Sequence, residues 1–130
     1  MAGEGASSKS LHRKGLTIMK LKVIDDIIEL APHIEGLAKE ISRHSPELAR
    51  QIKRAWPRVL CNVGEAMHRM GRKKTNRLDD AMGESRETYS ALRYGIRCGF
   101  ISNQQRALKT IDRVDKVTAT LYKLAHKPKR

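Results

Sequence analysis

The sequence predicts an all-α protein, an antiparallel up-down-up-down four-helix bundle, on three observations. Apolar residues recur at steps of three and four in four separate stretches, and no stretch alternates with the two-residue period of a strand. The stretches run to about 20 residues each and are joined by short connections, which makes sequence neighbours antiparallel. A chain of 130 residues has room for one core and not for two. An extended helical array would need internal repeats, and the sequence has none. The expected organisation is a flexible basic head over residues 1–20, the bundle over 21–126, and a basic tail over 127–130.

The first helix is carried by Val23, Ile27, Leu30, Ile34, Leu37 and Ile41, with Ile24, Ile28, Ala31 and Ala38 beside them. Asp25, Asp26 and Glu29 suit the positive end of its macrodipole. Pro32 should kink or break it near Ala31, because proline has no donor and its ring crowds the preceding turn. The second helix opens on Ser45 as N-cap with Pro46 at the first helical position, and Gly71 is its expected stop. Its main stripe is Leu48, Ile52, Ala55, Val59, Val63, Ala66 and Met70, and Pro57 should bend it. Beside that stripe runs a second one with Trp56, Leu60 and Met67, an arc wider than a single buried face. This second stripe is therefore expected to be an interface between subunits.

GRKKTN reads as a polar turn, with Thr75 or Asn76 capping a third helix whose inner face is Leu78, Met82, Ser85, Tyr89, Leu92 and Ile96. Gly99 should end it as a left-handed cap, with Phe100 folding back as the apolar contact. Ser102 and Gln105 then form an expected capping box. Leu108, Ile111, Val114, Thr118, Leu121 and Ala125 carry the fourth helix.

Charge is placed unevenly. The chain has net charge +13 and a pI near 10.2. Residues 46–77 hold nine Lys/Arg against two acids, residues 1–20 hold four against one, and residues 127–130 hold three against none. The rest is neutral. Such clustering points to a polyanion partner, since neutralising phosphates releases counterions whatever the base sequence. The candidate nucleic-acid-binding residues are Arg50, Lys53, Arg54, Arg58, Arg69, Arg72, Lys73, Lys74 and Arg77, with Arg86, Arg93 and Arg97 as a second ridge. A protein adaptor whose basic face docks an acidic partner is the alternative. Aromatics make up only 4% of the chain, which argues against single-strand binding by base stacking.

Chemistry has little to stand on. Asn62, Glu65 and Glu87 could form a general acid–base pair, but no nucleophile, metal motif or phosphate loop accompanies them. They read as a structural polar cluster that sets helix register, with Arg86 as neutralising partner. The adjacent pairs Asp25/Asp26 and Asp79/Asp80 read as dipole partners of helix N-termini. His12, His33, His44, His68 and His126 make no i, i+4 pair, and neither an HExxH nor a Cys-x-x-Cys motif occurs. No metal, no cofactor and no catalytic activity are expected. Cys61 and Cys98 read as small hydrophobes in a reducing compartment. No signal-type segment and no membrane span is apparent, so a cytoplasmic location is expected.

Three motifs carry a resemblance. Residues 51–66, QIKRAWPRVLCNVGEA, are similar to the segment of the 23S rRNA intervening-sequence proteins, or four helix bundle proteins, in which a Gln and a basic pair precede an Asn-Ile-Ala-Glu-Gly signature. Asn62, Val63 and Glu65 match it or substitute conservatively, and Gly64 and Ala66 exchange the small residues. Residues 81–92, AMGESRETYSAL, resemble the third-helix pattern through Gly83, Arg86, Glu87 and Leu92, with Glu84 where Ser is usual. Residues 98–102, CGFIS, resemble the turn into helix 4. The resemblance implies a bundle that assembles as a homopentamer and that has no known catalytic residue. A relative, the accessory variability protein of diversity-generating retroelements, binds nucleic acid and a reverse transcriptase, so both become expected partners.

Overall fold

In the computed structural model, which describes residues 8–126, the chain forms α1 (Ser8–Ser42), α2 (Pro46–Ala66), α3 (Gly71–Arg97) and α4 (Gln104–Ala125). No strand occurs among the described residues. Each helix packs on its sequence neighbour, and α1 also packs on α4, so the four helices close into a bundle. None of them is long and apolar enough to cross a membrane. Residues 1–7 and the basic tail 127–130 lie outside the described residues.

The core follows the expected stripes closely in α1, where Val23, Ile27, Leu30, Ile34, Leu37 and Ile41 are all buried. Three local expectations are corrected. First, α1 begins at Ser8, so residues 8–20 are helical and do not form a flexible head. Second, Pro32 does not break α1, and both it and Pro57 lie inside continuous helices. Both are exposed, so the backbone carbonyl that each leaves without a donor is on the wet side of its helix. Third, the α4 stripe is rotated. Leu108 is exposed, and Ala107, Val117 and Leu124 are buried with Ile111, Val114 and Leu121.

Ser45 caps α2 as expected, its Oγ accepting from the Leu48 N–H at 3.3 Å. At α4 the cap is Asn103, whose Oδ1 accepts from the Arg106 N–H at 3.0 Å, so the expected Ser102/Gln105 box does not form. The Ser102 N–H instead donates to Glu40 Oε1 at 2.6 Å and ties the α3–α4 loop to α1. Hydrogen bonding from the Ser102 side chain, and then from its N–H, holds the Glu40 carboxyl below the usual carboxylate range. Gly99 has φ +77°, and the Gly99 and Phe100 N–H groups donate back to Ile96 and Gly95 at 3.0 and 2.9 Å. This is the expected left-handed stop. Phe100 then stacks on His44, with ring centroids 5.0 Å apart.

Close approach of α1 and α3 is set by Gly95, where an added Cβ would lie 2.8 Å from Ile41 Cδ1 and 3.2 Å from its Cγ1. Ile41 is fully buried, so its side chain can give way only against core neighbours. Gly95→Ala is expected to destabilise the fold by about 1–3 kcal/mol through overpacking, read as a lower urea midpoint. An unchanged midpoint would show that the contact relaxes freely.

The second apolar stripe of α2 has its cover inside the chain. Trp56 is only 2% exposed, and its indole N–H donates to the Ile27 carbonyl at 3.0 Å. Leu60 and Met67 are half-buried against the same core. Trp56, Leu60 and Met67 therefore do not present the open face between subunits that the sequence assigned to them. A bundle helix touches two neighbours, and α2 spends its wide arc on α1 and α3.

Candidate nucleic-acid interface

GRKKTN is not a turn but the start of α3. Helix α2 ends at Ala66, residues 67–70 make the connection, and Gly71, at φ +60°, opens α3. Thr75 and Asn76 lie inside the helix and cap nothing. Met70 stands at the N-cap position with no side-chain hydrogen bond, and no acid occurs in the first turn. That turn carries Arg72, Lys73 and Lys74. Cations at the positive end of a helix dipole cost about 0.3–1 kcal/mol each, and a bound anion reverses the sign.

The connection and these turns shape a shallow groove lined by Arg69, Lys73, Asn76, Arg77 and Asp80. Three of the five lining residues are cations, and Asn76 adds an amide. Arg69 donates to Glu65 at 2.5 Å, and this pairing holds the Glu65 carboxyl low. Arg72, Lys73 and Arg77 make no ion pair among the described residues. Behind the groove, Lys74 and Lys20 line a small apolar recess with Val63, Ala66, Met67, Leu78 and Leu124. This recess puts α1, the end of α2, the start of α3 and the end of α4 side by side. His126, from which the sequence runs on into KPKR, lies 3.3 Å from Asp79 of α3. Asn76 and Lys20 belong to this neighbourhood, and the sequence reading missed them by taking one for a cap and the other for a flexible head.

The remaining basic residues are not one surface. Arg50 pairs with Glu47 at 2.5 Å, Arg54 with Glu87 at 3.3 Å and Arg58 with Glu84 at 3.7 Å. The expected free ridge on α2 is thus largely occupied, by Glu47 of the same helix and by Glu84 and Glu87 of α3. Lys53 is exposed without an ion pair among the described residues. Arg86, Arg93 and Arg97 lie on another side of α3 from Glu84 and Glu87. Arg93 sits over the Tyr89 ring, 5.7 Å from its centroid. Exposed ion pairs are worth about 0–1 kcal/mol, so exchange of a carboxylate for a phosphate at Arg54 or Arg58 costs little.

The expected polar cluster of Asn62, Glu65 and Glu87 is brought together only in part. Asn62 and Glu87 line an acidic groove between α2 and α3, together with Arg58, Asp79, Asp80 and Glu84. Glu65 is held by Arg69 instead, and Arg86 is exposed and makes no ion pair among the described residues. Burial, and then the charge of Glu87, raise the Glu84 carboxyl above its ordinary range, Arg58 only partly offsetting them. A raised folded pKa means that ionised Glu84 opposes folding above that pKa, and the penalty fades as the pH falls through it. Glu84→Gln is accordingly expected to leave neutral-pH stability unchanged or slightly raised, and to flatten its rise toward mild acid. A clear loss at neutral pH in thermal melts would show the Arg58 pair to dominate.

Fold and site together define a class, a four-helix bundle with a cationic corner where α2 meets α3. Its fold is similar to that of a crystal structure from Bacteroides thetaiotaomicron, a protein of unknown function from the S23 ribosomal protein family. That chain is 24% identical with a TM-score of 0.71, and the likeness covers 81% of this chain and 99% of the other. At that identity the likeness shows the fold alone. No family model and no curated protein sequence matches the chain.

Proposed function

We propose that this protein is a non-enzymatic nucleic-acid-binding bundle that engages the phosphate backbone of RNA or DNA at the α2–α3 corner. The helices are taken to run up-down-up-down, which connections of three to six residues and the α1–α4 contact support. One observation carries the functional reading. Arg72 and Lys73, with Lys74, occupy the first turn of a helix that has neither an acid there nor a side-chain cap. The arrangement opposes the dipole, and a phosphate relieves it. Arg69 and Arg77 flank the same groove, so the site offers several charges to a repeating polyanion. The low aromatic content favours backbone contact over base stacking, hence tolerance of sequence.

An accessory role beside a reverse transcriptase is what the family resemblance adds, and the homopentameric assembly it also implies is not part of the proposal. The stripe first assigned to that assembly, Trp56 with Leu60 and Met67, does not support it. The adaptor reading draws on the same cations docking an acidic protein. Fluorescence anisotropy with a labelled RNA and a labelled DNA fragment, titrated at about 50 mM salt where the electrostatic contribution is large, tests the proposal. Saturable binding of either fragment by the purified chain supports it. Absence of binding to both sinks it and leaves the adaptor.

A further inference from the structure

Helix α1 carries a second apolar stripe that nothing among the described residues covers. Leu11, Ile18, Leu21 and Ile28 are 59%, 67%, 58% and 52% exposed, on the side of α1 opposite Val23, Ile27 and Leu30. With Lys14 and Asp25, both exposed, they step 3, 4, 3, 4, 3 along the helix. That is the a/d spacing of a coiled-coil seam. The stripe stops where the next step reaches the exposed Pro32. Neither Lys14 nor Asp25 has an ion-pair partner among the described residues.

The order of these six residues reads as its own complement when reversed. Laid antiparallel on a second α1 about a two-fold axis between Met19 and Lys20, Leu11 meets Ile28, Lys14 meets Asp25 and Ile18 meets Leu21. Antiparallel coiled coils pair a positions with d positions, and every layer here is such a pair. Apolar meets apolar and the only two charges meet each other. A parallel pairing would instead set Lys14 against Lys14 and Asp25 against Asp25. We infer that the outer face of α1 is an isologous interface, on which a second copy of this chain docks its own α1 antiparallel across Leu11–Ile28. The seam is about 25 Å long at 1.5 Å per residue, so the dimer is a modest, reversible one. A nucleic acid has no use for four exposed aliphatic side chains, and a lipid surface gains nothing from the Lys14/Asp25 complementarity.

The test is sedimentation equilibrium of the full chain over a dilution series, in buffer free of nucleic acid. The wild type is expected to pass reversibly from one chain to two as concentration rises. Ile18→Glu, at a side chain exposed in the monomer, should give the one-chain mass throughout with unchanged helical circular dichroism. Lys14→Glu and Asp25→Lys should each weaken pairing at least tenfold, and the double reversal should restore it, which only the antiparallel register allows. The Arg72→Ala, Lys73→Ala, Arg77→Ala variant should pair like the wild type, so this interface and the polyanion site fail independently. A one-chain mass at every wild-type concentration, or a double reversal that does not restore pairing, overturns the inference. So does a monomer that sediments with phosphatidylglycerol vesicles and loses that binding on Ile18→Glu.

Discussion

Trp56→Ala is expected to lower the unfolding free energy by about 3–5 kcal/mol, the range for truncating a large buried aromatic. A typical domain of this size has about 5–15 kcal/mol in total, so the variant should populate unfolded chains near physiological temperature. The cost has two sources. The indole leaves a cavity where α1 and α2 meet, and its N–H loses the 3.0 Å bond to the Ile27 carbonyl. Trp56→Phe separates them, retaining most of the ring volume and losing the hydrogen bond, with an expected cost of about 1–2 kcal/mol. Urea denaturation followed by circular dichroism reads both. An Ala variant of wild-type stability but altered assembly mass would return Trp56 to a contact between subunits.

Replacing Arg72, Lys73 and Arg77 together by alanine should separate binding from folding. Each phosphate contact contributes about 0.7–0.9 to the slope of log affinity against log salt, so the triple variant is expected to flatten that slope by about 2–3. Stability should move the other way. Removing Arg72 and Lys73 from the positive end of α3 relieves about 0.3–1 kcal/mol each, and the melting temperature should rise slightly. Weaker binding with a higher melting temperature is the signature of cations kept for a ligand. A triple variant that binds with the wild-type slope would place the contacts elsewhere, on Lys53 or on the Arg86, Arg93 and Arg97 ridge.

The α1 stripe was legible because its inner face is a strict run of large aliphatics from Val23 to Ile41, with no competing set as strong on the same turns. α4 was less so. Leu108 and Val117 compete for the register, and hydrophobicity alone favours Leu108. The outcome turned on packing, which buries Val117 with Ala107, Ile111, Val114, Leu121 and Leu124. The GRKKTN segment was misread because its polarity looks like a loop, while its residues are competent helix formers once Gly71 sets the turn. At the candidate site, the cluster of cations was visible in the sequence. What could not be seen was that Glu84 and Glu87 on α3 reach the arginines of α2, since that depends on which faces of two helices meet.

The sequence alone determined that four amphipathic helices form, where charge concentrates, and how α2 and α3 are punctuated at Ser45 and Gly99, because periodicity, composition and capping are properties of adjacent residues. Only the tertiary structure decided that α1 covers Trp56, that Arg54 and Arg58 are engaged while Arg72 and Lys73 meet no acid among the described residues, and that the uncovered apolar face belongs to α1. Those outcomes depend on how the helices are rotated against one another. That rotation comes from packing the whole core at once, and no single stretch of the chain encodes it.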